Sequence, residues 1–317
     1  MTTTRTLRVG TRKSALARTQ TDLVTAALGV SVEVVPITTE GDRSSDAVTQ
    51  IGSTGVFVSA LRSALLADEI DVAVHSYKDL PTAPAEGVTI AAVPVREDAR
   101  DALVARDGLT LGELPPGSRV GTGSPRRAAQ LNALGLGIEV VALRGNVDTR
   151  LSRVADGSLD AVVLAYAGLK RLGRADAVTE ILDPIQVLPA PAQGALAIEC
   201  RSSDIAAIEV LAAIEDPDTR TAVTAERALL AALEGGCSAP VGALAEITVG
   251  DSVDGVDGDD GTDVLEVFLR GSVTAVDGTG AVRLSATGPT TDADGVGRRL
   301  AAELIAGGAD TMMGSST

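Results

Sequence analysis

The sequence predicts an α/β protein in which two successive α/β blocks precede a smaller α+β domain. Up to Cys200, short apolar strand patterns alternate with helical patterns, as they do in βαβ units. Beyond Ala243, three strand patterns come first and a helical pattern follows. Hydrophobic residues make up 45% of the chain but aromatic residues only 1%. A core of small and β-branched side chains suits helices packed on parallel strands.

In the first block, each strand pattern runs into a polar loop. Leu7–Gly10 predicts the first strand and Ile70–His75 a later one. Val32–Ile37 is nearly all apolar, which predicts a strand covered on both faces. Gly52–Gly55 predicts a loop, and Val56–Leu66 the helix after it. The alternation predicts a largely parallel sheet.

The second block begins near Arg100, with a linker that contains Pro115–Gly117, and then repeats this plan. Arg119–Gly121 predicts a strand, and a helix begins just after it. Ser124 at the N-cap and Pro125 at the first helical position are strong helix-start signals. Ile138–Leu143 predicts the next strand. The two blocks therefore predict two lobes of similar build.

The C-terminal region contains a cysteine on a sharply shaped loop. A helical pattern over Asp218–Leu233 precedes Gly235 and Gly236, which we expect to end the helix. Pro240 prevents the helix from resuming. Cys237 is thus displayed between two structured segments, whereas Cys200 ends an apolar alternation and is expected to be buried in a strand. The predicted third domain has strands at Ala243–Val249, Val264–Arg270 and Val282–Thr287, and a helix at Asp292–Ile305.

Charge and composition narrow the possible partners and location. The net charge of −16 disfavours nucleic acids and anionic membranes as partners. The chain contains no apolar stretch long enough to cross a membrane, and its first residues lack an apolar signal core, so we expect a cytoplasmic protein. The Asp/Gly-rich run 250–263 lacks the order of a calcium loop and predicts a solvated insertion without an assigned role. No metal site is predicted.

Arginines gather at the carboxyl ends of the predicted strands, although the chain is acidic. Ligands bind at that edge of open α/β sheets, and helix N-termini favour anions there. Several charge-assisted contacts would suit a ligand with multiple carboxylates or phosphates. Nucleotide-binding glycine motifs are absent, so a nucleotide is not favoured. The arginines are Arg12, Arg126, Arg127, Arg144, Arg150 and Arg171.

Another polar run, His75–Asp79, also follows a strand. Asp79 is well placed to stabilise a cation at the ligand edge. His75 is the only histidine, so it is the only imidazole available to activate Cys237. A histidine beside an apolar strand is more often a hydrogen-bonded structural residue.

With these segments, the chain resembles the porphobilinogen deaminase (hydroxymethylbilane synthase) family. The matching segments run in order over nearly the whole chain, and together they are highly specific. They are Thr11–Ser14, His75–Asp79, Ser124–Arg127, Leu143–Val147, Ala167–Leu172, Gln193–Ala195 and Glu234–Cys237.

The resemblance implies a transferase of tetrapyrrole (porphyrin and haem) biosynthesis. Four porphobilinogen molecules would be joined head to tail with loss of ammonia, and hydrolysis would release hydroxymethylbilane. The implied domains are 1–97 with 194–214, 98–193, and 215–317; the first two resemble the lobes of periplasmic binding proteins. A dipyrromethane cofactor would be bound to Cys237 through a thioether. We expect a cytoplasmic monomer.

The same resemblance gives each site residue an expected role. Asp79 is the expected catalytic residue. The expected cofactor-binding residues are Cys237, Ser76, Lys78, Thr122, Ser124, Arg126, Arg127, Arg144 and Gly145. The expected substrate-binding residues are Arg12, Ser14, Arg150, Arg171 and Gln193. Relatives carry lysines in the loop that matches 52–60, whereas this chain has Ser53, Thr54 and Ser59, so no lysine contact is transferred there.

Two other functions are compatible with parts of the sequence. A bilobal binding protein for a small polycarboxylate would explain the lobes and arginines, but it would leave Cys237 and Asp79 without a role. A thiol hydrolase or acyltransferase would need Cys237 and His75 in contact, although they lie in different predicted domains. A covalent mass increment of two linked pyrroles on Cys237 would separate the deaminase from both.

Overall fold

The computed structural model describes residues 5–37, 53–234, 239–250 and 264–313. Within these ranges the strands are β1 (Leu7–Thr11), β2 (Val32–Pro36), β3 (Val72–Ser76), β4 (Val88–Ala92), β5 (Asp101–Ala105), β6 (Arg119–Thr122), β7 (Glu139–Ala142), β8 (Ala161–Ala165), β9 (Glu180–Ile181), β10 (Leu196–Arg201), β11 (Val241–Val249), β12 (Leu265–Thr274) and β13 (Ala281–Pro289). The α-helices are α1 (Ala15–Leu28), α2 (Ser53–Leu66), α3 (Pro125–Ala133), α4 (Val147–Ala155), α5 (Tyr166–Arg171), α6 (Ile205–Leu211), α7 (Pro217–Ala232) and α8 (Ala293–Ala306).

The chain divides into two compact units. The first comprises Met1–Ala99, Leu164–Val178 and Gln193–Thr219. The second comprises Arg100–Val163, Thr179–Ala192 and Arg220–Thr317. The predicted division into three domains, with boundaries near residues 97, 193 and 214, stays a prediction.

A five-stranded sheet in the order β2-β1-β3-β10-β4 forms the centre of the first unit. β1 runs parallel to β2 and β3, whereas β10 runs antiparallel to β3 and β4. Val9 and Val72 of neighbouring strands pack with Val24 and Leu28 of α1. The helix begins at a serine cap and ends at Gly29, whose φ of 64° closes its last turn. These contacts fix the loop between β1 and α1.

The second unit contains a five-stranded sheet in the order β7-β6-β8-β5-β9. β6 runs parallel to β7 and β8, and β9 runs antiparallel to β5. In both sheets the second parallel strand is outermost, the first lies next to it and the third follows. This shared order confirms the prediction of two α/β lobes of similar build. Leu103, Val120 and Val163 pack together in the core of this sheet.

The C-terminal part of the second unit is a three-stranded antiparallel sheet in the order β11-β12-β13. Leu229 of α7 and Leu300 of α8 pack with Val267 and Leu269 of β12, so the two helices cover one face of the sheet. The predicted α+β C-terminal part is confirmed. The predicted insertion 250–263 lies outside the described residues except for Gly250.

Two predictions about the sheets were wrong. β2 is an edge strand in which Glu33, Val34 and Pro36 are exposed, because an apolar sequence does not reveal a strand's place in the sheet. Asp101–Ala105, for which no strand was predicted, forms the fully buried β5. With β10 and β9 antiparallel to their neighbours, both sheets are mixed rather than largely parallel.

Two helix boundaries also differ from the predictions. α2 begins at Ser53, so Ser53–Gly55 belong to the helix and not to a loop. α7 ends at Ala232, and Glu234 has a left-handed φ of 52°. The chain therefore leaves the helix before the glycines that we expected to end it. Among the described residues, none of the helices is long and apolar enough to cross a membrane.

Candidate active site

The loops after β1 and β3 lie at one edge of the first sheet. These strands are parallel, so their carboxyl ends, Thr11 and Ser76, lie at the same edge. Arg12 and Ser14 follow Thr11, and Ser14 Oγ accepts a hydrogen bond (3.3 Å) from the backbone amide of Ala17 to cap α1. The predicted residues of these two loops therefore share the edge where open α/β sheets bind ligands.

Asp79 ends the 3-10 turn Tyr77–Asp79 that follows β3, and it is exposed. Its neighbours Tyr77 and Leu80 are only 6% and 1% exposed, so buried side chains anchor the turn on both sides of the carboxylate. Among the described residues, none forms a hydrogen bond or ion pair with the Asp79 side chain. A fixed carboxylate without a partner can stabilise a cation on a bound molecule.

The side chains around Asp79 are tied to the rest of the first unit. Ser76 Oγ accepts a hydrogen bond from Gln20 Nε2 (2.9 Å), and Lys78 Nζ donates to Gln193 Oε1 (3.1 Å). Gln193 is buried, and its Nε2 donates to the carbonyl of Ala99 (2.8 Å). Both the oxygen and the nitrogen of the Gln193 amide thus form hydrogen bonds within the protein, and the oxygen holds the ammonium group of Lys78. Its expected contact with substrate stays a prediction.

Arg171 lies at the end of α5 in the same unit. Its Nη2 donates to the carbonyl of Gly194 (2.6 Å). Burial lowers the pKa of Arg171, and the nearby carboxylate of Glu97 opposes that effect. Glu97 is itself paired with Lys170 at 2.7 Å. Arg171 is therefore held with little free movement, and it shares its nearest carboxylate with another cation.

Two loops of the second unit meet at the edge of its sheet. β6 and β7 are parallel, so the loops after them lie side by side. A Cβ atom on Gly123 would lie 2.5 Å from the carbonyl oxygen of Leu143 and 3.4 Å from Arg150 Nη2. Only glycine allows this approach, which brings Thr122 and Ser124 close to Arg150. Ser124 also caps α3, as predicted.

The loop after β7 holds a surplus of positive charge. Arg150 Nε donates to the carbonyl of Gly145 (2.9 Å), a residue with φ of 112°. Within the described residues, neither Arg150 nor the exposed Arg144 forms an ion pair. Burial, and then the charge of Arg127, lower the pKa of Arg150. An anion bound here would relieve the repulsion between these cations.

Arg126 and Arg127 share one buried carboxylate. Arg126 Nη2 lies 2.7 Å from Asp101 Oδ2, and Arg127 Nη2 lies 2.8 Å from Asp101 Oδ1. The two arginines are 2% and 5% exposed, and Asp101 is fully buried. Asp101 therefore holds both guanidinium groups in place, and the charge of Arg127 acts on Arg150.

The cysteine expected to carry the cofactor lies outside the described residues, together with Gly235, Gly236 and Ser238. The described chain reaches Glu234 and resumes at Ala239. Cys237 therefore remains a prediction. Cys200 is fully buried in β10, which confirms its expected position, and burial raises the pKa of its thiol to about 11.

His75 is buried against a carboxylate in the first unit. Its Nε2 lies 3.2 Å from Glu199 Oε2, and Arg62 forms hydrogen bonds with both oxygens of Glu199. At 7% exposure, His75 has the environment of a structural residue. This environment favours the structural interpretation over a thiol-activating base. Among the described residues, no cluster of three or more histidine, cysteine and acidic side chains could hold a metal ion.

Glu199 predicts a measurable dependence of stability on pH. Burial would raise its pKa, but the contacts with His75 and Arg62 outweigh burial and lower the pKa from 4.5 to about 2. Between pH 4.5 and pH 2, Glu199 binds more protons in the unfolded state than in the folded state. Its contribution to stability is therefore present above pH 4.5 and is lost as the pH falls towards 2. The loss amounts to at most about 3 kcal/mol.

We expect Glu199→Gln to remove this part of the pH dependence. In urea titrations, the free energy of unfolding of the parent should fall between pH 6 and pH 2.5 by up to about 3 kcal/mol more than that of the variant. Parallel pH curves for the two proteins would contradict the assignment.

Sequence reasoning missed two of the buried carboxylates, Asp101 and Glu199. Asp101 begins β5, and the short apolar run Asp101–Ala105 was the available signal for a strand there. Glu199 stood out as the one charge in the apolar alternation of β10. Because a charged side chain buried inside a sheet requires a partner, Glu199 could have been recognised from the sequence as part of a buried ion pair.

Family comparisons bear directly on these residues. The model of the dipyromethane cofactor binding domain of porphobilinogen deaminase matches residues 7–209. The model of the porphobilinogen deaminase C-terminal domain matches residues 220–306. The chain belongs to the porphobilinogen deaminase family. That family is one of transferases (hydroxymethylbilane synthases) in tetrapyrrole biosynthesis, and membership gives this chain porphobilinogen as substrate and dipyrromethane as cofactor.

Relatives in the family cover nearly the whole chain. The porphobilinogen deaminase of Nocardia farcinica is 59% identical over 97% of this chain and 88% of its own length. That of Mycobacterium tuberculosis is 58% identical over 97% of this chain and 98% of its own length. Among solved structures, the methionine-binding protein MetQ matches at 13% identity over 65% of this chain and 88% of its own, with a TM-score of 0.42.

The donor groups of the deaminase fit a dipyrromethane. That cofactor and porphobilinogen bear acetate and propionate groups, which bind best to guanidinium groups. Arg144 and Arg150 make no ion pair among the described residues, and Arg126 and Arg127 add two further guanidinium groups. Guanidinium groups at the strand edge of an otherwise acidic chain suit a polycarboxylate.

Proposed function

We propose that this chain condenses four porphobilinogen molecules head to tail with loss of ammonia and then releases hydroxymethylbilane by hydrolysis. The observation that carries the proposal is the 59% identity to a porphobilinogen deaminase over 97% of the chain. The bound dipyrromethane supplies the free pyrrole α-carbon to which the substrate units are joined. The protein contributes charge, position and proton transfer.

Asp79 acts on the substrate as ammonia leaves. The bond between the aminomethyl carbon and nitrogen breaks, and the nitrogen takes both electrons. The substrate pyrrole is then an electron-poor azafulvene, which is cationic when its ring nitrogen is protonated. The Asp79 carboxylate, which has no partner among the described residues, lies in a turn with buried neighbours and stabilises that cation. The former aminomethyl carbon then bonds to the free α-carbon of the terminal pyrrole of the growing chain, and Asp79 accepts the α-proton that this pyrrole loses as it regains aromaticity.

The arginines and hydroxyl groups hold carboxylates of cofactor, substrate and product. Arg150 and Arg144 offer guanidinium groups that have no acid partner among the described residues. Arg126 and Arg127 add two further guanidinium groups on the same unit. On the first unit, Arg12, Ser14, Ser76, Lys78, Arg171 and Gln193 complete the proposed set. On the second unit, Thr122, Ser124 and Gly145 do so.

Cys237 anchors the cofactor through a thioether and takes no part in turnover. A thiolate attacks only once, when the cofactor is installed. We place the protein in the cytoplasm as a monomer, with no nucleic acid or membrane partner, in agreement with its charge of −16. The three-domain boundaries of the family belong to the same proposal.

Intact-mass analysis with a turnover assay tests this function. We expect the purified protein to carry a covalent increment equal to two linked pyrrole units, to give colour with Ehrlich's reagent and to consume porphobilinogen. A protein that consumes porphobilinogen without any increment would contradict the covalent cofactor. A protein that carries no increment and only binds the substrate would favour a bilobal binding protein.

A further inference from the structure

A buried glutamine lies behind the arginine pair of the second unit. Gln130 of α3 is fully buried. Its Oε1 accepts a hydrogen bond from the backbone amide of Leu188 (2.8 Å), and its Nε2 donates to the carbonyl of the same residue (3.0 Å). One side-chain amide thus holds both polar groups of Leu188.

The carbonyl of Leu188 in turn holds Arg126. Arg126 Nη1 donates to that oxygen (2.5 Å), and its Nη2 binds Asp101. Asp101 also accepts from Arg127 Nε (2.9 Å). The position of Leu188 therefore determines where the Arg126 guanidinium lies, and the shared carboxylate passes that constraint to Arg127.

On its other side, Gln130 is tied to the C-terminal sheet. Arg283 of β13 donates from Nη2 to Gln130 Oε1 (3.1 Å) and to the carbonyl of Gln186 (3.2 Å), and from Nη1 to the carbonyl of Ile185. Because arginine has only donors, it fixes the orientation of the glutamine amide. Within the described residues, Arg283 pairs with no carboxylate. All of its acceptors belong to the segment before Leu188 or to α3.

The turn between β12 and β13 packs on the end of α3. A Cβ atom on Gly278 would lie 2.6 Å from Asn132 Cβ and 2.7 Å from the nitrogen of Ala133. Asn132 Nδ2 also donates to the carbonyl of Val276 (3.4 Å). The helix that begins with Arg126 and Arg127 is therefore held at its far end by the sheet of the C-terminal part.

We propose that Gln130 and Arg283 are positioning residues that set the Arg126–Arg127 pair for carboxylate binding. Arg283 orients Gln130, Gln130 fixes Leu188, and the Leu188 carbonyl fixes Arg126. This inference rests on the proposed function, in which the pair binds carboxylates of the pyrrole chain. It gives the C-terminal sheet a role in substrate affinity.

Gln130→Met tests the first link, because methionine fills a similar volume without hydrogen bonds. We expect KM for porphobilinogen to rise about tenfold and kcat per loaded chain to change less than about threefold, since a displaced guanidinium loses part of a charge-assisted contact. The fraction of chains that carry the covalent increment should also fall. Arg283→Met should raise KM about threefold, because it acts one link farther away.

A matched control and a double variant separate this role from simple docking. Asn132→Ala removes another contact between α3 and the sheet but does not touch Leu188, so its KM should equal that of the parent. In Gln130→Met combined with Arg283→Met, KM should exceed that of Gln130→Met by less than the threefold effect of Arg283→Met alone, because part of the action of Arg283 passes through Gln130 and part through the carbonyls of Ile185 and Gln186.

The possible outcomes separate a failure of this inference from a failure of the proposed function on which it rests. If the parent is active and Gln130→Met has the same KM as the parent, the inference is overturned. It is also overturned if Asn132→Ala raises KM as much as Gln130→Met does. If Gln130→Met does not fold, the exposed Arg283→Met decides by the same measurement. A parent that neither carries the increment nor consumes porphobilinogen would contradict the proposed function itself.

Discussion

Asp79→Asn is expected to lower kcat for porphobilinogen consumption about a thousandfold. A carboxylate about 4 Å from a unit positive charge contributes about 4 kcal/mol at an effective dielectric constant of 20, which corresponds to roughly three powers of ten in rate. Asparagine keeps the size of the side chain and removes the charge. Because Asp79 is exposed and has no partner among the described residues, the substitution should leave Tm nearly unchanged.

The control for this variant is an exposed aspartate of the same unit. Asp22 lies on α1 and is exposed, so Asp22→Asn removes one negative charge away from the strand edge. Its kcat should match that of the parent. Asp79→Glu keeps the charge but moves it, and its kcat should fall between those of the parent and of Asp79→Asn. Full activity in Asp79→Asn would exclude the role that we propose for this carboxylate.

Cys237→Ser is expected to abolish both the covalent mass increment and the turnover of porphobilinogen. A hydroxyl group is a much weaker nucleophile than a thiolate, so the cofactor cannot be installed. The readout is intact mass together with substrate consumption. Retention of the increment in Cys237→Ser would place the attachment elsewhere.

The second cysteine provides the matched control. Cys200 is fully buried, and burial raises the pKa of its thiol to about 11, so almost no thiolate is present at neutral pH. Cys200→Ala should therefore keep the increment and lose only some stability through the small cavity that it creates. Loss of the increment in this variant alone would show that the roles of the two cysteines had been exchanged.

Local signals predicted local structure well. Ser124 and Pro125 begin α3 as expected, because a cap and a fixed φ act within one helical turn. The position of Asp79 after β3 could also be predicted, since the end of a strand is a local feature. Parallel pairing then brings the carboxyl ends of neighbouring strands to the same edge of the sheet. For that reason the sequence could indicate that the loops containing the arginines and serines lie at that edge.

Features that depend on strand order were beyond the sequence. The exposure of β2 follows from its place at the edge of the sheet, which its apolar residues do not reveal. Asp101 could not be recognised as the partner of Arg126 and Arg127, because β5 joins their sheet from outside the repeated strand–helix pattern. Likewise, the hydrogen bonds of Gln193 with Lys78 and Ala99 could not be predicted, because they join distant parts of the chain.

The position of β10 affects how the first sheet can form during synthesis. This strand lies between β3 and β4, although Leu196–Arg201 is translated long after both of them. Until it leaves the ribosome, β3 and β4 lack the partner that joins them, and their unpaired edges are exposed to other chains. Folding of the first unit therefore depends on contacts between distant parts of the chain, which makes its assembly slow. The exposed strand edges also make the nascent protein a substrate for chaperones.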